Sequence, residues 1–217
     1  MAKLYELHPE NPQRRTIDQI ISALQGGAVM LYPTDTVYAI GCDLSNKSAI
    51  QKVRRIKQLS NEKPLTFLCS SLSNIAQYAQ VSDRAYRIMK HLVPGPYTFL
   101  LPATKLVPKL VMSPKRKTTG IRVPNRLICQ ELLKALDNPI VSSSAHLADE
   151  DGDFPTIGVE KARLFDELEN LVDIIIDDST EPGFDVSTIL DFTTEDPQVV
   201  RQGKGWQEVE NWLTLVS

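Results

Sequence analysis

The chain has 217 residues, 42 % hydrophobic and 24 % charged, with a formal net charge of −3, values that suit one folded domain with a sizeable core. No apolar run approaches the ~20 residues that cross a bilayer, and the opening MAKLYELHPENPQRR lacks an apolar stretch of signal-peptide length, so a cytoplasmic protein without a membrane partner is expected. Its three cysteines stand apart with no CxxC pair, and His8, His91 and His146 have no ligand spacing, which argues against zinc or redox chemistry.

In chain order, the first predicted element is a helix with Thr16 placed to cap it, Ile17, Ile20, Ile21 and Leu24 on one face, and Gly26-Gly27 to stop it. AVMLY (28–32) follows as a buried strand and runs into YPTDTVYAIG, where Thr34, Asp35 and Thr36 stand in succession. Such a run is poor material for a core. Lys47–Lys57 reads as a helix with Ile50, Val53 and Ile56 inward, and LTFLC (65–69) as a short strand. Ser71 or Ser73 begins a helix with Ile75, Ala76 and Ala79, Ser82 begins another with Ala85, Met89 and Leu92, and PGP turns the chain into the strand YTFLL. PKRKTTG (114–120) is a basic loop expected to be mobile. TGIRV reads as a strand, Asn125 as the cap of a helix with Ile128, Leu132, Leu133 and Leu136, and PIVSSS as a strand that ends in hydroxyls. An acidic loop ADEDGDF, a polar helix Val159–Asn170 and the strands VDIII, VSTIL and PQVVR complete the chain. The alternation predicts one α/β domain over 1–217, a mixed sheet with helices on its faces.

The charge is unevenly placed. Residues 1–148 hold 20 Lys and Arg against 9 Asp and Glu, and residues 149–217 hold 4 against 18, so +11 and −14 sum to −3. A local surplus of that size points to a phosphate-rich ligand, nucleotide or nucleic acid, or to a solvated surface whose two signs are segregated along the chain. Ligands of open α/β sheets sit beyond the carboxyl ends of strands. Thr34 and Thr36 after one strand, and Ser142, Ser143 and Ser144 at the end of another, occupy such places. No GxxxxGK[ST] or GxGxxG occurs, and Gly203-Lys204-Gly205 has neither the spacing nor an expected following helix. The candidates for holding phosphate are therefore cationic side chains: Lys57, Lys63, Arg122 and Arg201.

Seven ordered motifs, YPTDTVYAIG, IKQLSNEKPL, PGPYTFLL, GIRVP, VSSSAHL, VSTILD and VVRQG, resemble the YrdC/YciO family over residues of about 13 to 205. The resemblance implies a twisted α/β fold with a large basic cavity. It also implies synthesis of L-threonylcarbamoyl-adenylate from ATP, L-threonine and bicarbonate, with pyrophosphate released, for tRNA modification. By position it gives Thr34 and Thr36 a substrate-pocket role with Tyr38 shaping the wall, and sets Lys57 and Lys63 on the ATP phosphates. Arg122 falls to a carboxylate or phosphate, Ser142 and Ser144 to the adenylate side, and His146, Ser187 and Arg201 to the nucleotide. Magnesium would arrive with ATP, near Ser144, with little help from protein carboxylates.

Two positions depart from the family pattern. Leu59 stands where the synthases have the arginine of a Lys-x-Arg pair, and His146 where they have the asparagine of Ser-Ala-Asn. Arg54, Arg55 and Lys63 are the nearby cations able to compensate, and the departures bring the chain closest to the YciO branch. The alternative they raise is a non-catalytic or differently specific paralogue whose basic cavity binds structured RNA, tRNA or double-stranded RNA, or holds a nucleotide without turning it over.

Overall fold

The computed structural model describes residues 1–60, 62–146, 160–194 and 196–216, with side chains up to Asn211. Its elements are β1 (Lys3–Glu6), α1 (Arg14–Gln25), β2 (Met30–Tyr32), β3 (Ala39–Asp43), α2 (Lys47–Ile56), β4 (Thr66–Leu68), α3 (Leu72–Tyr78), α4 (Asp83–Leu92) and β5 (Tyr97–Pro102). They continue with β6 (Thr118–Arg122), α5 (Leu127–Leu136), β7 (Ile140–Ser144), α6 (Lys161–Leu168), β8 (Ile174–Asp177), β9 (Thr188–Asp191), β10 (Gln198–Arg201) and α7 (Trp206–Val216). The strands form one 10-stranded sheet in the order β1-β8-β2-β3-β7-β4-β6-β5-β9-β10. Its pairings are mixed: β2 and β3 run antiparallel and β4 and β6 parallel.

The helices form where the periodicity placed them, but two caps differ. Thr16 lies within the first turn of α1, whose N-cap is Gln13, and α5 starts from Arg126 rather than Asn125; neither cap side chain bonds to the first turn of its own helix. Ser71 and Ser82 do cap, accepting from the backbone N–H of Asn74 and Ala85, as does Asn46 for α2. Three elements exceed the sequence expectation. β1 pairs in parallel with β8, β3 is a strand buried along its whole length, and α7 begins directly after Gly205, so a helix does follow Gly203-Lys204-Gly205. The segment 113–117 closes a tight turn, with the Lys117 N–H on the Ser113 carbonyl at 2.9 Å and Lys117 at φ 53°. ADEDGDF lies outside the described residues, as does Val159 of the expected polar helix.

Alternation along the strands decides which face meets which helices. Phe67, Phe99, Ile121, Val141 and Leu190 belong to a core cluster that also holds Ala49, Ile50 and Val53 of α2, Ile75 of α3, Met89 of α4 and Leu164 of α6. On the opposite face, Met30, Tyr32, Ile140, Ile174 and Ile176 pack with Ile17, Ile20 and Leu24 of α1 and Ile128, Leu132 and Leu136 of α5. From β7 toward β10 that second face changes character. Thr66, Thr98, Arg122 and Ser142, each beside one of those core residues, and Ser187, just before β9, face a cavity instead of a helix. The site exists because the sheet is wider than the helix pair that covers this face.

Candidate functional site

The cavity has a volume of about 190 Å³. Its floor is polar sheet surface, and its rim is built by two connections: residues 33–38, which join the antiparallel strands β2 and β3, and residues 178–187, which lead into β9. The hydroxyl run after β2 is therefore a hairpin connection at the cavity mouth. Gly183 sits so close to the Thr36 carbonyl that a Cβ there would overlap it, so the two rims touch.

Hydrogen bonding orders the first rim. The Thr36 N–H donates to Thr34 Oγ1 at 3.1 Å, and the Thr34 hydroxyl donates to the Val37 carbonyl at 2.6 Å. With that proton committed, Thr34 Oγ1 accepts from the Thr36 hydroxyl at 3.0 Å. Thr36 Oγ1 in turn accepts from Arg122 Nη1 at 2.9 Å. Thr34 is saturated by its own turn, whereas Thr36 keeps one lone pair. Arg122 also pairs with Asp35 at 2.5 Å, both side chains at most 10 % exposed. Its charge is thus balanced inside the protein.

Arg201 differs. Its Nε donates to the Ser187 carbonyl at 3.0 Å and its Nη2 to Ser187 Oγ at 3.1 Å, while that hydroxyl also meets Thr98 Oγ1 at 2.9 Å. No carboxylate pairs with Arg201 among the described residues. Burial, and then repulsion from Arg122, push its pKa down. Two guanidinium groups thus approach each other in a cavity whose lining contains no carboxylate. An anion bound there would relieve the repulsion and gain charge-assisted hydrogen bonds. Ser142, on the floor, accepts from the Tyr32 hydroxyl at 2.7 Å, and burial keeps that phenol neutral.

Of the residues predicted from sequence, Thr34, Thr36, Arg122, Ser142, Ser144, Ser187 and Arg201 converge on this cavity; Tyr38, Lys57, Lys63 and His146 do not line it. Tyr38 is 1 % exposed and packs edge-on against Phe165 with ring centroids 5.7 Å apart. Lys57 caps the C-terminus of α2, is 3 % exposed, and donates to the backbone carbonyl of His146. Burial and the nearby charge of Lys63 push its pKa down to about 8. The His146 ring is buried in the interior.

Arg54 donates to the carbonyls of Lys63 at 2.9 Å, Leu110 at 3.1 Å and Ser60. It is committed to these carbonyls and does not stand in for an arginine at 59, where Leu59 packs against the core. Thr66, Thr98 and Ser143 also line the cavity, and Asp35 is the counter-ion of Arg122. The available signal for the threonines was a hydroxyl alternating with a phenylalanine in a strand: Thr66 beside Phe67, Thr98 beside Phe99.

For magnesium, the described residues contain no cluster of His, Cys, Asp or Glu able to hold a metal ion. The hydroxyls of the cavity suit an ion that arrives on phosphate and keeps most of its own ligands. The basic surplus of residues 1–148 is concentrated outside the cavity. Lys47, Arg55, Lys63, Lys105, Lys109, Lys115, Arg116 and Lys117 are exposed on two segments that pack together, Leu65 N–H on the Val111 carbonyl and Lys115 on Glu62, each at 2.9 Å.

Comparison with known proteins follows the same lines. The Sua5–YciO–YrdC family model, described as telomere recombination, matches residues 22–203. The uncharacterized protein YciO of Escherichia coli is 40 % identical over 205 residues, covering 94 % of this chain and 97 % of that one. Its crystal structure superposes with a TM-score of 0.86 at 38 % identity, over the same shares of the two chains. A threonylcarbamoyl-AMP synthase of Vibrio vulnificus is 30 % identical over 190 residues, 86 % of this chain and 98 % of that one. P. abyssi Sua5, crystallised with L-threonine, shares the fold with a TM-score of 0.85 at 23 % identity; the match covers 97 % of this chain and 60 % of that one.

Proposed function

The chain belongs to the Sua5/YciO/YrdC family, and we propose that its cavity makes L-threonylcarbamoyl-adenylate from ATP, L-threonine and bicarbonate, releasing pyrophosphate. The observation that carries this reading is Arg201: a half-buried cation, set beside a second guanidinium and ringed by hydroxyls, without a carboxylate partner among the described residues. Support comes from the synthase relative at 30 % identity and from the L-threonine bound to a protein of the same fold.

In the proposed reaction the amino nitrogen of threonine attacks the carbon of bicarbonate, a C–O bond breaks, and the departing hydroxide takes a proton from nitrogen and leaves as water, giving a carbamate. A carbamate oxygen then attacks the α-phosphorus, and the bond to the β-phosphate oxygen breaks as pyrophosphate leaves. Negative charge accumulates on the phosphoryl oxygens, so positioning and neutralisation are the main requirements. Arg201 supplies the charge, and Arg122, already paired with Asp35, adds guanidinium N–H donors. Thr36, Ser142, Ser144 and Ser187 orient substrate oxygens, with Ser187 held by both Thr98 and Arg201. Magnesium, carried on the ATP phosphates near Ser144, would add charge neutralisation.

Pyrophosphate release that requires both threonine and bicarbonate tests the reading. Arg201→Met is expected to lower that activity about tenfold to a hundredfold, the size of one lost charge-assisted contact, while stability changes by less than about 1 kcal/mol, since removing a desolvated charge offsets its lost hydrogen bonds. Release that ignores threonine and bicarbonate would refute the synthase reading.

A second reading is favoured by the eight exposed cations around α2 and the 105–117 segment, of which Lys115 pairs with the exposed Glu62. That surface suits the phosphates of structured RNA, whereas the two segments that carry those cations, 47–63 and 105–117, contain no aromatic residue for stacking bases. Affinity for a tRNA or an RNA duplex is then expected to fall by ~0.7–0.9 log units per phosphate contact for each log unit of salt. Lys109→Glu with Arg116→Glu should flatten that slope and leave the cavity untouched; an unchanged slope excludes this face as the RNA surface.

A further inference from the structure

Arg126 does not line the cavity, yet it holds both of its rims. From its place just before α5, its Nη1 donates to the Thr34 carbonyl at 3.4 Å. Its Nη2 donates to the Asp178 carboxylate and to Thr180 Oγ1, the latter at 2.6 Å. Asp178 is fully buried, and its other carboxylate oxygen accepts from the Thr180 N–H at 3.3 Å and hydroxyl at 2.8 Å. Farther along the same segment Gly183 presses on the Thr36 carbonyl, and Val186 and Ser187 enter the cavity wall. The first rim is fastened again by Lys204, whose ammonium donates to the Asp35 carbonyl at 2.7 Å. Of these contacts, those of Arg126 join the two rims through one planar group.

We propose that Arg126 is a positioning residue: its guanidinium locks the Thr34–Val37 turn to the segment from Asp178 to Ser187, and so sets the spacing between Thr36 with Arg122 on one side and Ser187 with Arg201 on the other. This rests on the cavity being the ligand site. An anion that bridges the two arginines is held in register only while that spacing is kept, and misplacement by ~1 Å can cost on the order of a hundredfold in rate. Lysine would keep a positive charge against buried Asp178 but presents a single nitrogen where arginine presents a fork, so it cannot serve both rims in the same geometry. Charge and fork are therefore separable by mutation.

The test uses the full chain with Arg126→Lys and Arg126→Met. Arg126→Met leaves Asp178 buried without its cation and is expected to lose stability. Arg126→Lys is expected to melt within a few degrees of wild type. Without any ligand, hydrogen exchange in Arg126→Lys should quicken at the amides of residues 34–37 and 179–187, while β3 and β7 exchange as in wild type. Calorimetric affinity for inorganic pyrophosphate should fall about tenfold to a hundredfold in the same variant. Unchanged exchange in the two rims overturns the proposal, and so does faster exchange with unchanged pyrophosphate affinity. A wild type that binds pyrophosphate but shows no threonine-dependent turnover refutes the synthase reading and leaves both measurements decisive for Arg126. A wild type that binds no pyrophosphate overturns both.

Discussion

Arg122→Leu is expected to destabilise the protein by about 3–5 kcal/mol, the usual consequence of removing one member of a buried ion pair. The pair with Asp35 is enclosed, with side-chain exposures of 8 % and 10 %, so the carboxylate left behind would have no water to replace its partner. Loss of Arg122 also frees Thr36 Oγ1 and removes the donor that heads the hydroxyl chain through Thr34 to Val37. The rim should loosen along with the fold. Denaturant unfolding of Arg122→Leu, Asp35→Leu and the double variant measures the coupling. The double variant should recover much of the stability, because no unpaired charge remains, yet it should still bind pyrophosphate more weakly than wild type. A loss below about 1 kcal/mol in the single variant would mean that water reaches the pair and that its geometry is looser than 2.5 Å.

The second large effect concerns Lys57 and has the opposite sign. Its pKa is pushed down to about 8, first by burial and then by the charge of Lys63, from an unfolded value of ~10.4. The folded state therefore disfavours the ammonium form. Between pH 8 and about 10.4 the unfolded chain keeps this proton while the folded chain has released it, so stability gains from rising pH across that window. A shift of this size corresponds to about 3 kcal/mol. Lys57→Met should abolish the gain, which makes the difference between wild type and variant the quantity to measure, since other groups titrate in the same range. Near pH 7 the variant is expected to be more stable by about 1–2 kcal/mol, the relief of desolvation less the lost hydrogen bond to the His146 carbonyl. Weaker binding of ATP in this more stable variant would identify Lys57 as a charge kept for a ligand. Unfolding curves of the two proteins that remain parallel from pH 7 to 10.5 would contradict the buried-ammonium account.

The two departures from the synthase pattern separate in the structure. Leu59 is partly buried, packing against the core beside a surface pocket that Arg54 and Arg55 also line, and Arg54, the nearest candidate to replace a missing arginine, is committed to three backbone carbonyls. His146 contributes its carbonyl, as the acceptor for Lys57. A backbone carbonyl is available from any residue, so the change from asparagine to histidine leaves that contact in place.

Strand β3 marks the limit of pattern reading. Ala39–Asp43 is buried on both faces, and without a polar alternate a central strand carries no period-2 signal. Thr16 and Asn125 have the residue types that favour caps, yet the chain enters α1 and α5 one to three residues away, at Gln13 and Arg126. Local preference is worth only ~1 kcal/mol at a cap, too little to override how a helix must dock on Met30, Tyr32 and Ile140.

Some features of this protein are set by neighbours along the chain. These are the α/β alternation, the inward faces of α1, α2, α4 and α5, the hydroxyl-rich strand ends, and the ordered motifs of the family. Tertiary structure alone decided the pairings. Asp35 meets Arg122 across 87 positions, Arg126 meets Asp178 across 52, and Lys57 meets the carbonyl of His146 across 89. Each depends on strand order and register, because a side chain a few ångströms long can select a partner only after the sheet has brought the two backbones together. The physical reason is the range of the interactions: propensity and amphipathic period act within a turn or two of helix, whereas a buried charge is settled by whatever the fold places beside it.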